Sequence, residues 1–316
     1  MSDKKRIQSE KNTNNIIMNM YIQKLIHEQF NIGNMDLNNG KLKRNMNIFN
    51  KEYNHRYYYK ILDGTITEDE IKELNSMVDV AVPKNKIELK KIIKFYSKRY
   101  SKDSLNWLNV SGITNMSKLF ESTEYNGDIS KWDTSNVTNM QYMFYYATEF
   151  NQDISGWNVN SVTNMCSMFW GALYFNQPIS GWDVSNVTDM SHMFHGCPAL
   201  KSLDLSTFNT NKVTDMCCMF LLCESIKSLN LSNFNTENVT DMRYMFKLCS
   251  SLKHLYISNF SINNVEYMIG IFSNCNSLKK VRLSNYDLKN VYDEKSLLKN
   301  CPMELKMKFN DKRNEY

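Results

Sequence analysis

The side chains best suited to chemistry are histidines and cysteines in the middle of the chain. His192, His195 and Cys197 stand three and two residues apart, and imidazole and thiolate groups at short spacing can bind zinc. Cys217 and Cys218 are adjacent, which is not the spacing of a zinc motif. The chain contains an internal repeat. His192 stands at a position of this repeat where the residue type varies, so we expect its side chain to face solvent. Cys197 belongs to a column of cysteines that recur at one core position of the repeat. We therefore predict no metal site and no cofactor.

That column consists of five cysteines at intervals of 26 residues, namely Cys197, Cys223, Cys249, Cys275 and Cys301. In earlier repeats the same slot holds Thr123, Ala147 and Ala172, which indicates a small buried position. Thiols stacked one repeat apart would have parallel Cβ vectors, and this is a poor geometry for a disulfide. We therefore predict free, buried thiols.

Motifs of known catalytic sites are absent from the sequence. It contains no P-loop, no GxGxxG or GxSxG turn, no HExxH helix and no EF-hand loop. The sequence thus predicts no catalytic residues and a protein that is not an enzyme. The alternative from another class is an enzyme whose site lies in residues 1–100, where Tyr57–Tyr59, His27 and His55 lack motif spacing.

An internal repeat dominates the rest of the chain. The pattern Val-Thr-x-Met-x-x-Met-Phe begins at positions 137, 162, 187, 213 and 239, with degenerate copies at 113, 265 and 291. The steps between copies are 24, 25, 25, 26, 26, 26 and 26 residues. Repeats of this length are supersecondary units that must stack on their neighbours to bury an apolar face.

Each repeat contains two apolar patterns and one aromatic slot. Later repeats read Leu-x-x-Leu-x-Leu, as in 200–205, which predicts a short strand. The Met-x-x-Met-Phe part has apolar residues at i, i+3 and i+4, which predicts one or two turns of helix. Five residues before each Val we expect a core aromatic at Trp132, Trp157, Trp182, Phe208, Phe234, Phe260 and Tyr286.

These patterns together predict an α/β repeat fold. We expect a leucine-rich-repeat-type solenoid of about eight 24–26-residue coils over 101–298, with a parallel sheet on one face. Residues 1–13 are expected to be disordered and 14–78 to be a mostly helical N-terminal region. Residues 79–100 predict a strand and a helix after Asn85 that caps the first coil. Residues 299–316 predict a C-terminal cap and tail.

One face of the expected sheet is the candidate binding site. Residues between the aliphatic positions point away from the core, and repeats of equal length stack them into columns. The columns become more basic and aromatic toward the C-terminus. The preferred interpretation is a solvated row of side chains without function, and the functional alternative is a docking site for an acidic protein surface with Tyr256 as an aromatic anchor. The candidate partner-binding residues are Lys201, Lys227, Lys253, Tyr256, Lys279, Lys280 and Arg282.

The charge distribution argues against nucleic acid as a partner. The formal net charge is +5, and residues 1–100 carry 19 Lys and Arg against 12 Asp and Glu. The repeats are therefore near neutral, whereas a long nucleic-acid groove requires positive charge along its length. We expect a protein partner, a monomer because both ends of the array look capped, and no transmembrane segment because no apolar stretch is long enough.

The repeat resembles a known family. Residues 129–140 and 179–190 share Ile-Ser-x-Trp-Asp-x-Ser-Asn-Val-Thr-x-Met, and this pattern is similar to that of BspA-like leucine-rich-repeat surface proteins, in the mycoplasma-type variant of unknown function. The resemblance implies a non-enzymatic protein for adhesion or host contact. An intracellular scaffold or adaptor is the alternative that the sequence itself leaves open. No signal peptide or lipobox is visible, so the sequence predicts a cytoplasmic protein, whereas the resemblance implies cell-surface display or export by a non-Sec route.

Overall fold

The structure, a computed structural model, describes residues 82–282 and 297–302. The predicted disordered start, the mostly helical region 14–78 and nearly all of the predicted C-terminal tail lie outside these residues. So does Tyr286, the last predicted core aromatic. Within the described ranges no helix is long and apolar enough to cross a membrane, in agreement with the expectation from sequence.

The predicted capping helix is present as α1, Lys86–Arg99. Asn85 is its N-cap, because its side chain accepts hydrogen bonds from the backbone N–H groups of Ile87 and Glu88, which have no partner within the helix. The Glu88 carboxylate in turn accepts from the backbone N–H of Lys84. The sequence prediction of a capped helix at this position is confirmed.

α1 packs against the beginning of the repeat array. Its apolar residues Leu89, Ile92, Ile93 and Tyr96 are all buried in the same core as the repeats. The rings of Tyr96 and Trp107 lie 6.1 Å apart, and the Lys86 ammonium donates to the Ser117 hydroxyl at 2.8 Å. The helix thus covers apolar side chains at this end of the array, as a terminal unit must.

The helix predicted for the Met-x-x-Met-Phe segments is wrong in the copies between residues 113 and 272, because these segments form consecutive β-turns, whereas most of the last copy lies outside the described residues. In residues 140–147 the Met143 N–H donates to the Met140 carbonyl and the Ala147 N–H to the Phe144 carbonyl. The third residue of each turn, Tyr142 and then Tyr146, has a φ of 57° and 51°, as a type II turn requires. A chain of turns with period four satisfies the i, i+3, i+4 pattern as well as a helix does.

Backbone hydrogen bonds from these turns join each repeat, or coil, to the next. The N–H groups of Met140, Tyr142 and Phe144 each donate to a carbonyl of the following coil, at 2.8–3.0 Å. Alternate N–H groups therefore point along the stack, as in a parallel sheet. A helix would have used the same groups within the coil, so stacking of the coils favours turns.

Regular strands are confined to three of the described coils. They are β1, Ser228–Asn230, β2, His254–Tyr256, and β3, Lys280–Arg282. The strands pair in parallel in the order β1–β2–β3, with Leu229 opposite Leu255 and Leu255 opposite Val281. The central residues of β1 and β2 are buried and their neighbours exposed, as the Leu-x-x-Leu-x-Leu pattern predicts. The earlier described coils were also expected to form strands there, and they do not, including the segment 200–205 whose Leu-x-x-Leu-x-Leu pattern predicted one.

Columns of identical side chains fill the interior of the stack. The predicted aromatic slots are all buried where described, at Trp132, Trp157, Trp182, Phe208, Phe234 and Phe260. The rings of Trp132 and Trp157 are parallel within 2° and lie 6.3 Å apart. One continuous core runs from α1 to Cys301, so each coil is stabilised by the apolar surface of its neighbours.

The cysteine column is buried and free of disulfides, as predicted. Each thiol donates to the carbonyl of the Phe that ends the turn segment of the preceding coil, at 2.9–3.1 Å, in the pairs Cys197–Phe169, Cys223–Phe194, Cys249–Phe220, Cys275–Phe246 and Cys301–Phe272. Burial raises the pKa of these thiols, as at Cys223 and Cys249. They are therefore packing groups with little thiolate character.

Candidate functional sites

An exposed column of lysines runs beside the three strands. Lys227, Lys253 and Lys279 each precede a strand, and the N–H of one donates to the carbonyl of the one before, at 2.9 and 3.0 Å. All three side chains are exposed. No ion pair joins them to an acidic residue of the described chain. The column is therefore a row of positive charge without local neutralisation.

The other candidate binding residues lie around this column. Lys201 is exposed at the equivalent slot one coil earlier, but its N–H donates to the Asn176 side chain instead of a backbone carbonyl. Tyr256 is 37% exposed, and in the sheet it pairs with Arg282 of β3, while Lys280 pairs with His254. The register of the predicted columns is thus confirmed across the strands, while their use by a partner stays a prediction.

A second column lies where the turn segments begin. Each of its members accepts, through its side-chain Oδ1, the backbone N–H of the residue two positions later. Neighbouring members are joined by single parallel bridges. The column changes from amide to carboxylate along the stack, in the order Asn115, Asn139, Asn164, Asp189, Asp215 and Asp241.

Three stacked carboxylates repel one another. Burial raises the pKa of Asp215, and the charges of Asp189 and Asp241 in the neighbouring coils raise it further. Asp241 is neutralised by Arg243, whose Nε lies 2.9 Å from Oδ2. Because Arg243–Asp241 is the ion pair that the described residues make in this column of three carboxylates, this part of the surface favours the binding of a further cation.

A cluster of histidine and cysteine borders the carboxylates. Ligand atoms of His192, Cys217 and Cys218 all lie within 4.8 Å of one another, and so do those of Asp215, Cys217 and Asp241. The Sγ atoms of Cys217 and Cys218 are 3.4 Å apart. The residues come from two adjacent coils, which are joined here by the His192 N–H donating to the Cys217 carbonyl at 2.7 Å.

Adjacent cysteines share one side of the chain because of the turn that holds them. In an extended strand, neighbouring side chains point to opposite faces. Cys218 is the third residue of the turn closed by the Met219 N–H and the Met216 carbonyl, and its φ is 55°. The left-handed conformation brings both thiols together, with Cys218 buried and Cys217 half-buried.

The polar contacts of this cluster polarise the two thiols. The hydrogen bond shared by the Cys217 and Cys218 thiols raises the pKa of Cys217 and lowers that of Cys218. The imidazole of His192 acts in the opposite direction on Cys217 and lowers its pKa. The pKa of Cys218 is thus lowered, whereas burial raises the pKa of Cys223 and Cys249 in the cysteine column.

Two aromatic contacts hold the histidines in place. The indole of Trp170 stacks on His192 at 4.7 Å and on His195 at 4.3 Å. The Nδ1 atoms of the two histidines lie 3.1 Å apart. Burial and the charge of His192 lower the pKa of His195 to about 4, so its ring is neutral at neutral pH.

Sequence reasoning missed this cluster because it searched for ligands within one coil. Cys197, the partner considered for His192 and His195, instead donates to the Phe169 carbonyl in the core. His192 is half-buried between coils, whereas it was expected to face solvent. The repeat could have predicted that these side chains are close, because His192 and Cys218 are 26 residues apart and occupy the same slot of adjacent coils.

Comparison with known proteins identifies the repeat. A family model described as "Mycoplasma protein of unknown function, DUF285" matches residues 88–206 and again residues 199–312. No curated protein and no solved structure matches the chain. The two matches overlap at 199–206 and together include every described coil and α1 from Glu88 onward.

Proposed function

Starting from the fact that the chain belongs to the DUF285 family of Mycoplasma proteins of unknown function, we propose that it is a non-catalytic, protein-binding repeat protein. In this proposal the array is a leucine-rich-repeat-type solenoid akin to the BspA-like proteins, and it mediates adhesion or contact with a partner through its sheet face. The partner is a protein whose surface is acidic where it meets the lysine column.

The observation that carries the proposal is the unneutralised lysine column. Side chains on equivalent positions of parallel strands are close neighbours, so like charges there destabilise the fold. Lys227, Lys253 and Lys279 keep this arrangement although no acidic residue of the described chain pairs with them. A bound acidic surface would convert this repulsion into attraction, which gives the column a role that stability alone does not.

Tyr256 supplies the apolar part of such an interface. It is among the large side chains that remain exposed, and it ends the middle strand of the three, three residues after Lys253 of the lysine column. Aromatic residues at the centre of an interface commonly contribute most of the binding energy, while charges at the rim set orientation and association rate. We therefore assign Tyr256 the anchoring role and the lysines the steering role.

The test is a binding comparison between matched charge-reversal variants of the full chain. Lys227→Glu, Lys253→Glu and Lys279→Glu combined should abolish capture of protein partners from cell lysates. Lys91→Glu, Lys94→Glu and Lys131→Glu combined change the net charge equally at exposed positions outside the column, and should retain capture. Added salt should weaken capture by the unmodified chain, because the proposed contact is electrostatic.

The measurement also separates the proposed face from other surfaces. Both variants should melt within a few degrees of the unmodified chain, since surface substitutions rarely cost more than about 0.5 kcal/mol. Equal capture by all three proteins at low salt would exclude the lysine column as the binding site. Loss of capture in both variants alike would mean that overall charge, and no particular face, governs binding.

A further inference from the structure

We propose that His192, Cys217 and Cys218 form a site for a thiophilic divalent cation, with zinc as the best fit. The set supplies one imidazole and two thiolates, and this combination of ligands selects zinc among the common divalent ions. It joins two adjacent coils, so a bound ion would link them on the surface. This site is independent of the lysine column and of the binding function proposed for it.

The distances support tetrahedral coordination. With Zn–S bonds of about 2.3 Å and Zn–N bonds of about 2.0 Å, ligand atoms in a tetrahedral site lie roughly 3.5–3.8 Å from one another. The two Sγ atoms are 3.4 Å apart, and all three ligand atoms lie within 4.8 Å of one another. Small side-chain rotations would therefore bring the set to bonding distance without movement of the backbone.

The second coordination shell is also in place. A histidine that binds a metal through one nitrogen usually engages the other in a hydrogen bond, which orients the ring. The Nδ1 atom of His192 is paired with Nδ1 of His195 at 3.1 Å, and Trp170 stacks on both rings. This arrangement leaves Nε2 of His192 to take the metal, and it makes His195 a positioning residue.

The surrounding charge favours a cation at this position. Asp189, Asp215 and Asp241 stand on three successive coils beside the cluster, and among the described residues Asp241 is the one of the three that forms an ion pair, with Arg243. Asp215 and Asp241 lie within 4.8 Å of Cys217 Sγ, so Asp215 or a water molecule would complete the coordination. Binding releases the two thiol protons to solvent, and the two thiolates neutralise the charge of the ion.

The experiment is a metal titration of the full, reduced and metal-free chain. Cobalt(II), the spectroscopic substitute for zinc, should bind at one ion per chain and give thiolate-to-metal charge-transfer absorption, which zinc should then displace. Cys217→Ser combined with Cys218→Ser should abolish that absorption and weaken zinc binding at least a hundredfold. Cys166→Ser, at the Cys217 slot two coils earlier, is the matched control and should bind as the unmodified chain does.

Two further measurements distinguish the role of each group. His195→Gln should weaken binding by about 10- to 100-fold while retaining the charge-transfer band, as expected of a residue that only orients a ligand. In the unmodified chain zinc should protect Cys217 and Cys218 from alkylation, as read by mass spectrometry. This readout does not depend on whether any variant folds.

The proposal has clear contrary outcomes. Zinc that binds without protecting either cysteine from alkylation would overturn it. Unchanged affinity in the double cysteine variant would do the same. If Asp241→Asn abolished binding while Cys218→Ser did not, the ion would belong to the oxygen-rich group of Asp215, Cys217 and Asp241, and the assignment to His192 and Cys218 would be wrong.

Discussion

The first coils and the last coils stack in the same way but use different groups to do so. In the last coils, backbone pairs backbone, as in β1 to β3. In the first coils a ladder of asparagine side chains replaces that pairing, because the Asn151 N–H donates to Asn126 Oδ1 and the Asn176 N–H to Asn151 Oδ1, both at 2.9 Å. A side-chain amide can therefore substitute for the carbonyl of a missing strand.

In the aromatic column, too, different side chains make the same hydrogen bond between neighbouring coils. The indole Nε1 of Trp157 donates to the Ile129 carbonyl of the preceding coil at 3.1 Å, and Trp132 and Trp182 make the equivalent bond. Phenylalanine has no such donor. In the coil of Phe234 the preceding residue takes over, because Asn233 Nδ2 donates to the Leu205 carbonyl at 3.0 Å.

In both cases the hydrogen bond between neighbouring coils is kept, although the residue that makes it differs from coil to coil. Backbone groups at the junction of two coils require partners because an unsatisfied buried carbonyl or N–H costs free energy. Any neighbouring side chain with the right group can meet that requirement. We therefore expect the loss of a core side chain to destabilise the first and the last coils alike. The loss of a particular polar side chain should destabilise them to different extents.

Substitutions in the aromatic column are expected to lower the free energy of unfolding most. Trp157→Ala and Phe234→Ala should each lower the free energy of unfolding by about 3–5 kcal/mol, because both rings are buried between coils and their removal leaves a cavity. Urea unfolding followed by circular dichroism measures it. A loss below about 1 kcal/mol at either position would mean that the two halves do not share one core.

A smaller effect is expected from the asparagine ladder. Asn151→Ala should destabilise by about 1–2 kcal/mol, because its Oδ1 accepts from both the Asn176 N–H and Gln177 Nε2. Ser228→Ala, at the equivalent slot in β1, is the matched control and should change the stability by less than about 0.5 kcal/mol. Equal effects in chemical denaturation would show that the ladder contributes no more than an ordinary exposed side chain.

The smallest effect is expected where Asn233 substitutes for an indole. Asn233→Ala should cost about 1 kcal/mol, since three carbonyls lose a donor, and one of them belongs to Leu205. Adding Phe234→Trp should recover part of that loss, because an indole at this slot reaches the same carbonyl in earlier coils. A double variant no more stable than Asn233→Ala would contradict the proposed exchange.

Much of this architecture was predictable because of the constant repeat length. The 26-residue spacing correctly placed Lys227, Lys253 and Lys279 in one column, and it identified the cysteine column as buried. The capping helix followed from Asn85 and the apolar spacing after it. In each case a local pattern, repeated in neighbouring coils, carried enough information.

Two predictions from the sequence were wrong, the helices and the strands of the early coils, and each error has a physical reason. Over eight residues a helix of period 3.6 and a chain of turns of period four place the same apolar side chains inside, so Met-x-x-Met-Phe does not distinguish them. Strands were expected in every coil, but three early coils lack an aliphatic residue at the slot of Leu229, where they have Gly127, Gln152 and Gln177. The next coil has Leu203 at this slot and still forms no strand, and the Lys201 N–H there donates to Asn176 Oδ1. Those coils pair through their asparagines instead.

The sequence by itself determined which residues share a slot and hence which ones stack, because equal repeat lengths allow little other register. Only the tertiary structure decided which backbone groups point along the stack and which way a side chain turns within its slot. Cys217 and Cys218 illustrate the difference. Their spacing indicates no site, yet one left-handed residue turns both sulfurs to the same side, next to His192 of the preceding coil. That geometry depends on contacts between coils, which no single repeat contains.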